Sequence, residues 1–180
     1  EVRDGVLDGN IYLVGHGASS VNNPHYSAYD CGACSGRPGS VNSRVFAYMA
    51  NHAQVRKNLA ERGLHIPRTT LFVGALHDTT RDEMDFFDDQ HIPMEMNSSH
   101  STAKSVFEKS LQFNAKERAR RFETMDNRES SKNVREKVKL RSVSLFEPRP
   151  ELNHATNALC IVGSRKLTRG LFLDRRAFLN

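Results

Sequence analysis

The chain has 180 residues, of which 38% are hydrophobic and 26% are charged, and its formal net charge at pH 7 is +5. This length suffices for one domain with its own core, and this composition argues against wholesale disorder. No apolar run approaches the roughly 18 residues of a membrane span, so we expect any membrane association to be peripheral or through a partner.

The two ends of the chain predict an internal piece of a longer protein. The first residue, Glu1, is not an initiator Met, and the basic and apolar regions of a signal peptide do not follow it. Residues 174–180 stop on an amphipathic stretch. We expect residues 1–180 to form a single α/β domain, in which a site shared with sequence outside the chain would look incomplete.

Strand and helix patterns alternate along the first half of the chain. Residues 10–15 are an apolar, β-rich run bounded by glycines, which predicts a buried strand that ends at His16. The loop over residues 18–39 is rich in Gly, Asn, Pro and Ser, and a loop of that length is typically functional or disordered. A helix is predicted from residue 40 or 42 to Gly63. Its apolar face comprises Val45, Phe46, Met49, Ala53 and Leu59.

The second half continues this alternation. Strands are predicted over residues 70–76 and near 84–87, and a long amphipathic helix over residues 101–125. Residues 126–142 are polar and are expected to be either helical or mobile, and residues 159–162 form the last clear strand. This order predicts a three-layer α/β fold, with a mainly parallel sheet and helices on both faces.

Basic residues concentrate over residues 116–141, where acidic residues are interspersed. Such mixing indicates a solvated helix face with salt bridges. A basic module that binds nucleic acid is the alternative interpretation. The stretch has few aromatic residues and no recognisable nucleic-acid-binding module, so we expect no nucleic-acid partner.

Three cysteines are present, and an odd number without a signal peptide favours a reducing cytosol over a disulfide framework. Cys160 lies in an apolar strand pattern and is expected to be a small buried side chain. Cys31 and Cys34 form a CxxC motif, which is typical of half a zinc knuckle or of a redox pair. The chain has no second CxxC motif, and the usual context of a redox pair is missing.

His16 at a strand end and Cys31 in the following Gly-rich loop form a candidate metal-ligand pair. Imidazole nitrogen and thiolate sulfur are preferred ligands of Zn²⁺, which binds four ligands in a tetrahedron. A helix that begins after the loop would help to keep Cys31 as the thiolate. Two alternatives stay open: both side chains are structural, or His16 activates Cys31 as a nucleophile.

Other polar residues are weaker candidates for a catalytic role. His77 and the two residues after it end a strand, on the same predicted sheet edge as His16, and they would support the site or simply cap the strand. His25 would shuttle protons, and Asp30 would orient a ligand or pair with Arg44. The remaining histidines are expected on the surface or in loops: His52, His65, His91, His100 and His154.

Six strings, in order from residue 15 to 179, carry a family resemblance: HG, NNPHYSAYDCGACSGRPGSVNSR, VRKNLAERGLHIP, HDTTRD, EPRPELNHATNALCIVGSR and DRRAFL. The chain resembles the DabA family of probable inorganic carbon transporter subunits over nearly its whole length. It departs from the family at Leu145 and Leu152, where Trp would be typical. The resemblance implies a β-carbonic-anhydrase-like fold with a zinc centre.

By the same resemblance, His16 and Cys31 match two of the four zinc ligands. The other two would come from an upstream Cys-x-Asp-x-Arg motif, which this chain lacks, so we expect no hydratase activity from the chain alone. The implied function is CO2 or bicarbonate uptake with a membrane-embedded, cation-translocating DabB-like subunit. The implied location is the cytoplasmic face of the cell membrane, with peripheral attachment.

Overall fold

The computed structural model describes residues 8–19, 36–126, 128–147, 150, 159–171 and 177–179. The strands are β1 (Gly9–Gly17), β2 (Thr70–Asp78), β3 (Glu83–Phe86), β4 (Leu159–Ile161) and β5 (Ala177–Leu179). The helices are α1 (Ser40–Asn51), α2 (Ala53–Ala60), α3 (Met94–Ala119) and α4 (Ser131–Val143), with short 3-10 turns at Asp89–His91 and Arg165–Leu167.

The main sheet has the strand order β1-β2-β3. β1 and β2 are parallel, whereas β2 and β3 are antiparallel. Only residues 79–82 connect β2 to β3, and so short a connection cannot cross over to a parallel strand. The predicted α/β class is therefore confirmed, but this sheet is small and mixed rather than mainly parallel. β4 and β5 form a separate parallel pair.

Helices cover both faces of the main sheet, as expected for three layers. Successive strand residues point to opposite faces. Ile11 packs with Ala47 of α1, whereas its neighbour Tyr12 stacks on His100 of α3 and meets Phe107 edge to face. α1 and α3 therefore lie on opposite sides of β1.

The buried face of α1 is not the predicted one. Val45, Phe46 and Met49 are about half exposed, and the helix instead buries its small residues: Ser43, Ala47 and Ala50. Small residues are needed because the helix lies close to the sheet: a Cβ on Gly74 would be 2.9 Å from the Cα of Arg44. The hydrophobic pattern therefore predicted the wrong face of α1. Where a helix lies this close to a sheet, the size of its side chains matters more than their apolarity.

The predicted single helix is two helices. His52 adopts an extended conformation (φ −70°, ψ 126°) between α1 and α2, and its Nδ1 accepts a hydrogen bond from the backbone N–H of Gln54 at 3.2 Å. Gly63 has a φ of +87°, in the left-handed region that glycine tolerates, and it follows α2 as predicted.

α3 and α4 form a second small core. Val134 and Val138 of α4 pack against Ala115 and Ala119 of α3. α4 thus occupies most of residues 126–142, for which a helix was one of the two expectations. Among the described residues, no helix combines the length and apolarity needed to cross a membrane.

Candidate functional site

His16 and His77 lie side by side at the carboxyl edge of the main sheet. They are register partners in the parallel pair of β1 and β2 and form the last residue pair but one of that ladder. Neighbouring strands lie about 4.8 Å apart, so the two imidazoles start from adjacent backbone positions on one face. Sequence analysis expected both at the same edge, and the structure places them as direct neighbours.

The Thr79 hydroxyl determines the protonation of the His16 ring. His16 Nε2 lies 3.0 Å from Thr79 Oγ1, and the same hydroxyl donates to the carbonyl oxygen of Gly17 at 3.1 Å. When the hydroxyl proton is donated to the Gly17 carbonyl, Thr79 Oγ1 accepts from His16 Nε2–H. Neutral His16 then carries its lone pair on Nδ1. A histidine that binds a metal typically donates its other ring N–H to a carboxylate, a backbone carbonyl or water, and at His16 a hydroxyl would take that place.

Asp82 holds the His77 ring through the corresponding nitrogen. His77 Nε2 lies 3.3 Å from Asp82 Oδ1, and Asp82 is fully buried. An ionised carboxylate only accepts hydrogen bonds, so His77 donates through Nε2–H. Asp82 has a φ of +50°, a left-handed conformation that aspartate tolerates better than most residues.

Arg118 of α3 binds the turn that carries Thr79. Its guanidinium donates to the carbonyl oxygens of Thr79 and Thr80, the latter at 3.1 Å, and to the carboxylate of Asp82. The Arg118 side chain is only 4% exposed. A buried arginine therefore fixes the turn through three acceptors at once.

Two more side chains complete this buried cluster. Asn114 Nδ2 donates to Asp82 Oδ1 at 2.5 Å, and Arg135 Nε donates to the Asp82 carbonyl at 2.8 Å. Arg135 also forms an ion pair with Glu108. Because α3 and α4 both contribute, the helical pair is fastened to the sheet edge at Asp82.

The described residues on either side of positions 20–35, which include Cys31, are held beside His16. On the N-terminal side, the Ser19 hydroxyl donates to the Asp78 carboxylate. On the C-terminal side, the backbone N–H of Gly39 donates to the carbonyl oxygen of His16 at 2.7 Å. A Cβ on Gly15 would lie 2.5 Å from the Gly39 carbonyl oxygen, so this crossing requires glycine.

Three predicted site residues lie outside the residues that the structure describes: Cys31, His25 and Asp30. Cys34 of the CxxC motif also lies outside them. Arg44, the suggested partner of Asp30, makes a two-point ion pair with Asp88, at 2.6 and 2.7 Å. The hydrogen bond from Arg44 holds the pKa of Asp88 below its ordinary value. Within the described residues, no three His, Cys, Asp or Glu side chains are grouped to hold a metal.

The burial of three arginines does not follow from the sequence pattern. Arg118, Arg135 and Arg141 belong to the stretch expected to be a solvated helix face, and all three are buried. That expectation is wrong for these three residues: Arg118 pairs with the Asp82 carboxylate, Arg135 donates to the Asp82 carbonyl oxygen, and Arg141 lies over the ring of Phe122. The sequence around Asp82 does not indicate which arginine pairs with this buried aspartate.

His100 is a second correction. It was expected on the surface, yet it is 5% exposed, and its Nδ1 lies 2.9 Å from the Tyr12 hydroxyl. Burial is the main cause that lowers the pKa of His100. It lies under the sheet face that carries Tyr12, within the packing of α3.

Comparison with known proteins gives the family. The family described as "Probable inorganic carbon transporter subunit DabA" matches residues 9–180. Proteins of that name from Azotobacter vinelandii and Nitrosospira multiformis are 64% and 59% identical, over 94% and 93% of this chain but only 20% and 18% of their own length. One from Sorangium cellulosum is 48% identical over 94% of this chain and 17% of its own length.

The chain thus spans about a fifth of the length of these relatives. No solved structure matches it. A family match over nearly every residue, with relatives this similar, is decisive for membership. The chain belongs to the family of probable inorganic carbon transporter subunits DabA.

Proposed function

We propose that this chain supplies His16 and Cys31 as two of four zinc ligands in a protein that takes up inorganic carbon as CO2 or bicarbonate. The observation that carries the metal part is the hydrogen bond from His16 Nε2 to Thr79 Oγ1. If His16 donates through Nε2–H, Thr79 supports the ring as an outer hydrogen-bond partner supports a metal-bound histidine, and Nδ1 is the nitrogen that would bind the metal. The carbon substrate is inferred from the family name.

The donor set fits zinc as far as this chain contributes to it. Imidazole and thiolate are preferred zinc ligands, and Ser19 and Gly39, which precede and follow Cys31 in the sequence, are both held beside His16. The remaining two ligands are assigned to sequence outside this chain, in the Cys-x-Asp-x-Arg motif that the resemblance implies. A centre built from two parts of a longer polypeptide agrees with a chain that spans a fifth of its relatives.

Bound zinc lowers the pKa of water to about 7, which is the chemistry that CO2 hydration at neutral pH needs. The residues of this chain would hold the ligand and its neighbour in fixed orientations. Thr79 and the Gly17 carbonyl hold the His16 ring, and Asp82 holds the neighbouring His77. His77 is placed to line the same edge beside the ligand, where it would contact substrate or solvent.

We assign the membrane pathway to a partner. The relatives are named transporter subunits, and a subunit implies a further component. In this proposal the partner is a membrane-embedded, cation-translocating DabB-like protein, and the chain lies peripherally at the cytoplasmic face of the cell membrane.

Zinc analysis tests the proposal on the full-length polypeptide that contains this chain. We expect about one zinc per polypeptide, which is lost in His16→Ala and in Cys31→Ala. The matched controls are Cys34→Ala, in the same loop, and His65→Ala, at an exposed position. Equal zinc contents in the wild type and in the His16→Ala and Cys31→Ala variants would refute the proposed metal centre. Chelator-sensitive CO2 hydration by the 180-residue chain alone would show that the ligand set is wrong.

A further inference from the structure

We propose that Arg118 is a positioning residue for His16. It fixes the backbone of Thr79, and the Thr79 hydroxyl in turn sets the orientation and the tautomer of the His16 ring. The importance of this contact for zinc rests on the proposed function, whereas the contact itself belongs to the zinc-free chain and is testable there.

The contacts form an unbroken chain from the α3 helix to the imidazole. Arg118 donates to the Thr79 carbonyl oxygen, the Thr79 hydroxyl donates to the Gly17 carbonyl at 3.1 Å, and that hydroxyl accepts from His16 Nε2 at 3.0 Å. The Thr79 backbone N–H also donates to the Gly17 carbonyl, at 2.8 Å. Thr79 is thus held on the strand side by Gly17 and on the helix side by Arg118.

The chemistry of the contact requires arginine. Three acceptors face the guanidinium: the carbonyl oxygens of Thr79 and Thr80 and the carboxylate of Asp82. A planar guanidinium has five N–H donors in a fixed fork and satisfies separated acceptors together. Lysine would neutralise Asp82 with a single ammonium group, but it would not hold both carbonyls in place. Arg118→Lys therefore keeps the buried positive charge but loses the simultaneous hydrogen bonds to the two carbonyl oxygens.

Arg135 offers a matched control within the same cluster. It is also buried, and it donates to the carbonyl oxygen of Asp82 and pairs with Glu108. None of its recorded hydrogen bonds within the described residues reaches Thr79 or Thr80. Arg135→Lys should loosen the packing of α4 on the turn to a similar degree without releasing the Thr79 carbonyl.

The decisive measurement is the ¹⁵N NMR spectrum of the His16 ring in the zinc-free chain, for the wild type, Arg118→Lys, Arg135→Lys, Thr79→Val and Thr79→Ser. His16→Gln identifies the signals, and backbone amide spectra verify that each variant is folded. We expect a dominant Nε2–H tautomer in the wild type, Arg135→Lys and Thr79→Ser. We expect a mixture of tautomers in Arg118→Lys and Thr79→Val. The Thr79 pair tests the same contact even if Arg118→Lys does not fold.

The second measurement is zinc affinity in the full-length polypeptide. Loss of an outer hydrogen-bond partner typically weakens metal binding by about 10- to 100-fold, and we expect this loss in Arg118→Lys and Thr79→Val but not in Arg135→Lys. An unchanged His16 tautomer in Arg118→Lys, or an equal change in Arg135→Lys, would overturn the positioning role. If the tautomers change as expected but wild-type polypeptide binds no zinc, the positioning role stands and the proposed function fails. If zinc binds and Arg118→Lys retains full affinity, the positioning role fails and the proposed function stands.

Discussion

His16 Nε2 and Thr79 Oγ1 lie 3.0 Å apart although 63 positions separate the two residues. Parallel pairing brings His16 opposite His77, and the turn after β2 places Thr79 just beyond it. Because side chains alternate along a strand, a slip of one residue in the β1–β2 register would turn His16 to the α1 face. The site therefore depends on the same register that buries Tyr12 against α3.

Asp82 and Asp88 give a direct comparison of a buried and an exposed ion pair. Both residues have a left-handed φ, +50° and +58°, which asparagine tolerates equally well. We expect Asp82→Asn to lower the free energy of unfolding by about 3–5 kcal/mol, because it leaves the buried Arg118 without its counter-charge. Urea denaturation of the chain measures this loss.

The control for that prediction is Asp88→Asn. Asp88 pairs with Arg44 at the surface, where the two side chains are 39% and 60% exposed, and exposed pairs contribute little to stability. We expect a much smaller loss than for Asp82→Asn. Equal losses in the two variants would contradict the structural role assigned to the Asp82 cluster.

The sequence was sufficient to predict several local elements of this fold. The three strands of the main sheet and the stop at Gly63 follow from alternation and glycine. The long helix α3 was predicted over residues 101–125 but spans Met94–Ala119, and the division between α1 and α2 was not predicted. The buried face of α1 did not follow, because the closeness of Gly74 to Arg44 is set by the packing of two distant elements. Apolar periodicity gives no measure of that distance.

In the candidate site, too, local features were predictable from the sequence and long-range contacts were not. The pattern of a strand that ends in His16, with His77 at the end of the next strand, was enough to predict one shared edge. The partners of these histidines were not predictable to the same extent, since Arg118 reaches Thr79 from 39 positions away. Long-range pairing of this kind depends on how α3 docks, and the sequence of either partner alone does not indicate it.

Gly74→Ala tests the close packing of α1 on the sheet. The added Cβ would lie 2.9 Å from Arg44 Cα and 3.0 Å from the Ser43 carbonyl oxygen, and neither backbone atom can rotate away. We expect a loss of about 1–3 kcal/mol in the free energy of unfolding, the usual cost of overpacking. Val45→Ala, on the exposed side of α1, should change stability by about 0.5 kcal/mol or less. A larger loss of stability in Val45→Ala than in Gly74→Ala would show that α1 buries the face predicted from the hydrophobic pattern.

His100 should make the stability of the chain depend on pH. Burial, assisted by the charge of Lys104 and opposed by Asp89, lowers the pKa of His100 below its ordinary value of 6.5. As the pH falls, the unfolded chain therefore takes up this proton before the folded chain does. The stability contributed by neutral, buried His100 is fully present above about pH 7.5. It is lost as the pH falls through the pKa of His100 in the unfolded chain towards its lower pKa in the folded chain.

The variant His100→Asn isolates this effect, because the asparagine side chain can keep the contact made by Nδ1 with the Tyr12 hydroxyl. We expect the free energy of unfolding of the wild type to fall more steeply than that of His100→Asn between about pH 7.5 and about pH 5.5. The comparison uses the slopes of the free energy of unfolding against pH. A loss of stability that asparagine causes equally at every pH therefore does not affect it. Parallel curves would show that His100 titrates alike in the folded and unfolded chain.

Alkylation of Cys31 separates a zinc ligand from an activated nucleophile. In the full-length polypeptide with Cys34→Ser, a Cys31 thiolate bound to zinc should react slowly with iodoacetamide until a chelator removes the metal. A nucleophile activated by His16 would instead react fast in the zinc-loaded protein and would slow in His16→Ala. Cys160→Ser serves as the control, since its removal should leave the chelator-dependent rate unchanged. Fast, chelator-independent alkylation would therefore exclude Cys31 from the metal and favour covalent chemistry at the same edge of the sheet.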